Sequence, residues 1–183
     1  MHMERKKALP QKQNRNTVIP LPTELMNGQS LGAVSGMKFG LGSIGHCGCE
    51  VVAVYNALLL SGTPRPFTEV AKYMERFSML GGLWGTDPYA LGHCLRHFGL
   101  GARKLRSHES VKRVLMSGKR VIYVYWIKRR MMSGIHTVCA EQRGDTLYVY
   151  NAYSNVDHAI ETKPDLYFRR KMLTAYEVIP PTL

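Results

Sequence analysis

The sequence lacks any apolar run long enough to cross a bilayer. Its longest, residues 51–60 and 121–127, fall well short of the ~18 consecutive apolar residues that a spanning helix needs, and the N-terminus carries no hydrophobic signal core. A soluble, cytoplasmic protein with no membrane partner is therefore expected. Cysteine is scarce as well. Four in 183 residues are too few for a disulfide scaffold, so the expectation is reduced thiols, available for chemistry or metal. Acidic residues are few: 13 Asp and Glu stand against 25 Lys and Arg, a formal charge of +12. Such an excess attracts acidic partners through its long-range field, whether nucleic acid, an anionic surface or an acidic protein, or it simply solvates the surface. No internal repeat is present.

What is there suffices for a core. At 45% hydrophobic residues over 183, the chain suits one globular domain. Residues 1–28 are polar, basic and broken by Pro10, Pro20 and Pro22, and read as a basic, disordered arm. Residues 29–183 read as a single domain, with a helical part over about 43–117 and a sheet part over about 118–180. Apolar spacing predicts helices from Cys47 to the Ser61-Gly62-Thr63-Pro64 stop, over 66–80, 89–98 and 107–116. β-branched and aromatic runs predict strands at 121–127, 135–140, 146–151 and 173–179, with a hairpin turn at Arg143-Gly144-Asp145. Helices first and an antiparallel sheet afterwards make an α+β protein.

The stretch Gly45-His46-Cys47-Gly48-Cys49-Glu50 precedes the apolar run 51–60. It delivers a cysteine to the first turn of a buried helix, where free N–H groups and the helix dipole favour an anion. A thiolate is the expected state there. The sheet supplies a base: His136 near the start of one strand and Asn151 at the end of the next, which a hairpin at 143–145 would bring side by side. Imidazole beside a thiol, oriented by a side-chain amide, makes an acyl-transfer set. Taken alone, a histidine in a strand is more often a packed core residue than a base.

The order of these pieces resembles the papain-like cysteine peptidases, above all the peptidase domains that process double-glycine leader peptides of bacteriocins and their free-standing relatives. Cys47-Gly48 with the following apolar helix resembles the family's nucleophile helix, and Gly85-Thr86-Asp87-Pro88 with Leu91, Leu95 and Gly99-Leu100 its middle segment. Gly134-Ile135-His136-Thr137-Val138 resembles the histidine strand, and Val149-Tyr150-Asn151 the orienting residue. The resemblance implies a papain-like fold, with a nucleophile-bearing helical lobe packed on an antiparallel sheet, and the catalytic set Cys47, His136 and Asn151. Two departures stand out. The family's oxyanion glutamine, about six residues before the nucleophile, is replaced here by Leu41, leaving Ser43 or His46 to assist the Cys47 backbone N–H. The third member is Asn151, where the family often has aspartate.

Cys49 is the rival nucleophile. Residues i and i+2 do not share a helix face, so only one of the pair can meet His136, and the Cys-Gly match favours Cys47, with Cys49 packing in the core. A metal site built from His46, Cys47, Cys49, His93, Cys94 and Cys139 lacks the paired Cys-x-x-Cys spacing, so neither metal nor other cofactor is expected. His93, Cys94 and His97 read as a helix face and its surface, Cys139 as strand core. Three functions remain open. The first is a peptidase or other thiol hydrolase working through a Cys47 thioester. The second is an acyltransferase or amide-forming enzyme of secondary-metabolite biosynthesis, taking a carrier-bound acyl group, with an acidic carrier protein as partner. The third is a non-catalytic basic binding domain, although nothing resembles a nucleic-acid module and nucleic acid is not the expected partner.

Overall fold

The computed structural model describes residues 23–128 and 133–181. Most of the expected basic arm, and Arg129 and Arg130 of the basic run after residue 127, lie outside these.

A six-stranded antiparallel sheet forms the centre. Its strands are β3 (Gly101–Leu105), β4 (Arg120–Lys128), β5 (Ser133–Arg143), β6 (Thr146–Tyr150), β7 (Ile160–Thr162) and β8 (Met172–Ile179), in the spatial order β3-β8-β4-β5-β6-β7. A two-stranded ribbon, β1 (Lys38–Phe39) with β2 (Gly42–Ser43), precedes it in the chain. Helices cover both faces. One face carries α2 (Cys49–Leu60), α3 (Phe67–Met74) and α4 (Leu91–His97), packed on Ile122, Val124, Cys139 and Val178. The other carries α5 (His108–Met116) and the turn-long α6 (Pro164–Tyr167), packed on Val121, Tyr123, Val138 and Val149. Central strand β4 is buried on both faces from Val121 to Tyr125, which is why it reads as an unbroken apolar run rather than an alternating one. The α+β class and the helix-before-sheet order are those anticipated. The helical segment, however, divides across the two faces, because α5 packs behind the sheet.

Local sequence accounts for most elements. Helix α2 is buried from Cys49 to Leu58, so it needs no polar face. A separate short helix, α1 (Ile44–Cys47), ends at Gly48, so the expected single helix from Cys47 is two pieces and Cys49 opens the longer one. Ser107 N-caps α5 and exchanges side-chain and backbone bonds with Ser110 in a capping box. Strand β3, Gly-Ala-Arg-Lys-Leu, was not anticipated. It forms an edge, and exposed Arg103 and Lys104 are the charges edge strands tolerate. Strand β7, also unanticipated, closes the other edge. Among the described residues, no helix is long and apolar enough to cross a membrane.

The packed chain begins before residue 29. Buried Met26 donates its N–H to Asn56 Oδ1 and accepts from Asn56 Nδ2, both at 2.8 Å. Gly28 sits at φ +62 with Val156 O where a Cβ would be, a close approach only glycine permits. Asn56, wholly buried in α2, is thus the anchor for the incoming segment. Asn56→Ala strips two buried hydrogen bonds and should lower stability by about 2 kcal/mol, since each unsatisfied buried group costs ~1–3 kcal/mol. Urea unfolding checks this, and a loss under about 0.5 kcal/mol would contradict the anchoring role.

Candidate active site

His136 lies four residues into β5 and pairs with Tyr125 of β4. Their rings meet edge to face at 5.8 Å between centroids. The β5–β6 register sets Cys139 opposite Tyr150, and just beyond it Asn151 turns the chain at φ +59. This left-handed conformation is one that asparagine tolerates better than most residues. The turn brings the main-chain carbonyl of Asn151 to 2.7 Å from His136 Nε2. A carbonyl only accepts, so Nε2 carries the proton and Nδ1 is the basic nitrogen. The main-chain carbonyl of Asn151 is thus a partner of the His136 ring.

The carboxamide of Asn151 has another partner. Its Oδ1 accepts from Gln29 N–H at 3.1 Å and its Nδ2 donates to Gln29 Oε1 at 2.8 Å. Its own N–H donates to Asn27 Oδ1 at 2.8 Å. Every polar group of this fully buried residue is thereby satisfied. Gln29 Nε2 reaches the carbonyls of Ile44 and Gly45 at 3.3 and 3.4 Å, tying the same network to the entry of α1. Sequence reading missed Gln29. It lies far from Asn151 along the chain, and only the fold joins them.

The two cysteines differ in surroundings. Cys47 closes α1, and its Sγ donates to Ser43 O at 3.1 Å and lies close against Gly42. Cys49 is the first residue of α2, with Thr137 at its sulfur, on the stretch of β5 that β6 does not cover. Two adjoining cavities meet at Cys49, sharing it with His46, Trp126 and Ile135. The polar one, about 580 Å³, contains Cys49 and His136 but not Cys47. The other, about 380 Å³, takes in both cysteines and is walled by Met79, Leu83, Trp84 and Tyr89. Cys49 thus borders the cavity that His136 lines, while Cys47 borders only the adjoining one. The break at Gly48 moves the helix start two residues on, and Cys47 stays on the preceding turn. Of the two expected oxyanion side chains, His46 borders both cavities and Ser43 neither.

Glu50 was also missed, although an acid opening an apolar run is a visible signal. It is 1% exposed. Cys49 Sγ donates to its Oε2 at 3.3 Å and Thr137 Oγ1 to its Oε1 at 3.2 Å. Gly85 passes so close that a Cβ there would stand 2.9 Å from Oε2. Burial outweighs these donors and raises the carboxyl from 4.5 to about 7. Both thiols are pushed up, first by burial and then, to different degrees, by Glu50. The thiolate expected from the helix N-terminus is thus opposed by burial. Cys94 and Cys139 are buried in the core and, like the other two cysteines, free. His93 bonds Tyr73 Oη and His97 stacks on the same ring at 3.5 Å, a surface role. No group of three His, Cys, Asp or Glu among the described residues is arranged to hold a metal ion.

No protein-family model matches the chain, and no curated protein matches it. Among solved structures, it is similar to a double-glycine motif protease from an AMS/PCAT transporter in complex with the leader peptide. Identity is 15%, the TM-score 0.49, and the match covers 72% of this chain and 84% of that one.

A buried carboxyl raised to about 7 is stabilising while protonated. Its contribution is complete below about 4.5 and is lost as pH rises through about 7. Glu50→Gln keeps the neutral shape and should remove that slope, gaining on the native protein by on the order of 2–3 kcal/mol between pH 5 and pH 8. Unfolding curves at those two pH values test it. Parallel behaviour of the two proteins would place the carboxyl's titration elsewhere.

Proposed function

We propose that the protein is a papain-like cysteine hydrolase, of peptidase type, acting through a thioester on Cys49. The observation that carries this reading is a single cavity bordered by Cys49, at the first turn of α2, and by His136, whose ring is oriented by the Asn151 carbonyl. The Cys-Gly pattern in the sequence favours Cys47. The preference for Cys49 is supported by its place in that cavity, which Cys47 does not border.

In the proposed reaction, Cys49 Sγ attacks the scissile carbonyl while His136 Nδ1 takes the thiol proton. The imidazolium that forms keeps its Nε2–H on the Asn151 carbonyl and returns the Nδ1 proton to the leaving amine as the thioester forms. Water, activated by the same nitrogen, then releases the acid and restores the thiol. The oxyanion would meet the Cys49 main-chain N–H at the positive end of α2, with His46 as a side-chain donor; one such donor is worth ~10²- to 10³-fold in rate. The cavity of Met79, Leu83, Trp84 and Tyr89 would receive apolar substrate side chains. Exposed Trp84 and Tyr89, at 60% and 55%, offer large apolar area to a peptide.

An iodoacetamide-based thiol probe applied to native protein, Cys49→Ala, Cys47→Ala and His136→Ala tests the assignment. Labelling should vanish with Cys49→Ala, persist with Cys47→Ala, and slow by about 10²-fold or more with His136→Ala. Labelling that survives Cys49→Ala and disappears with Cys47→Ala would return the role to Cys47. Mass spectrometry of peptide and carrier-bound thioester substrates, with and without an amine, then separates hydrolysis from acyl transfer to an amine.

A further inference from the structure

We propose that the polar cavity binds an anionic oxyacid group of the acyl substrate, carboxylate or phosphate, and that Arg170 holds it. The proposal rests on the assignment of Cys49 as nucleophile and adds to it the charge class of the substrate.

Arg170 follows α6 and reaches the cavity that Cys49 and His136 share. Its guanidinium is set among aromatic faces, with Cζ 4.6 Å from the Tyr167 centroid, 4.8 Å from Tyr125 and 6.0 Å from Tyr153. Such rings replace water around a cation without neutralising it. Nη1 donates to Tyr125 Oη at 2.8 Å, and the guanidinium also bonds the Tyr153 side chain. A guanidinium has five N–H groups in a planar fork, so donors remain beyond these two phenols. No carboxylate among the described residues forms an ion pair with Arg170, whereas Arg103, Arg113, Arg120 and Arg143 each do.

The cavity wall reinforces the point. It carries Arg170, His46 and His136, and no Asp or Glu among its described residues. The adjoining cavity at Cys49 is lined by Glu50 and Asp87 and, among the described residues, by no Lys or Arg. Among the described residues, the basic side chains and the acidic ones thus line different cavities at the candidate nucleophile. A partly desolvated guanidinium with spare donors and no counter-ion among the described residues is matched by a carboxylate or phosphate, which it can bind bidentately. A purely structural role as a clamp on the tyrosines explains this less well, because Tyr125 and Tyr167 already bond each other through their hydroxyls at 3.2 Å.

The test compares alkylation of Cys49 in the full chain by anionic iodoacetate and neutral iodoacetamide, with the site mapped by mass spectrometry. The ratio of the two rates should fall about 10-fold or more in Arg170→Met, the scale of one lost charged hydrogen-bonding partner. In Arg170→Lys, which keeps the charge without the fork, it should take an intermediate value. A clamp role would lower stability in either variant but leave the ratio alone, so an unchanged ratio in both overturns the proposal. Inorganic phosphate and N-acetylglycine, tried as protectants against iodoacetamide, then distinguish the two sources: whichever slows labelling of the native protein more than of Arg170→Met identifies the group. Failure of both reagents to label Cys49 would instead sink the nucleophile assignment and this proposal with it.

Discussion

The contact on which the site depends is the hydrogen bond from His136 Nε2 to the main-chain carbonyl of Asn151. A backbone carbonyl can orient an imidazole only if the chain is held where the carbonyl points at it. That requires Asn151 in a left-handed turn, a conformation of some cost to any residue with a side chain. The cost is offset locally. The Asn151 carboxamide exchanges two bonds with Gln29, its N–H meets Asn27, and Asn56 secures Met26 at the head of the same segment. The orientation of the imidazole is thus determined by a stretch of chain far away in sequence, and the segment before residue 29 belongs to the site as much as the strands do.

The second determinant is burial near the sulfurs. A helix N-terminus favours an anion by only about 0.3–1 kcal/mol, while taking an ionised group out of water costs several. With Cys49 buried against Glu50, desolvation prevails and both groups are held toward their neutral forms. A protonated thiol resting against a carboxyl that titrates near neutrality differs from the preformed ion pair that a helix-start cysteine suggests. In the proposed chemistry the imidazole removes the proton as the new bond forms, and Glu50, in contact with the sulfur but buried beneath it, governs how readily that happens.

The position of Cys49 between two cavities of different character gives the proposed chemistry a direction. One side is apolar and partly open through Trp84 and Tyr89; the other is polar, with Arg170 among tyrosines. A substrate lying across Cys49 would meet hydrophobic contacts on one flank and a cation on the other. Orientation would then follow from charge before fine shape complementarity acts.

The α+β order, the buried helix ahead of the sheet, the β4, β5, β6 and β8 strands and the pairing of His136 with Asn151 across a hairpin could all be read from local pattern. Each is dictated by hydrophobic period, turn residues or short-range register, and these act between neighbours in the chain. Strand β3 escaped because an edge strand needs no apolar signature. The break at Gly48, which separates Cys47 from the helix that Cys49 begins, left no sign in composition. Gln29, Glu50 and Arg170 acquired their surroundings only on folding, since their hydrogen-bond partners and desolvation come largely from residues distant in sequence. The sequence by itself determined which elements form and which chemical groups are available. The tertiary structure alone decided which thiol shares a cavity with the imidazole and what charge surrounds it, because burial and electrostatics sum over every neighbour in space and have no local code.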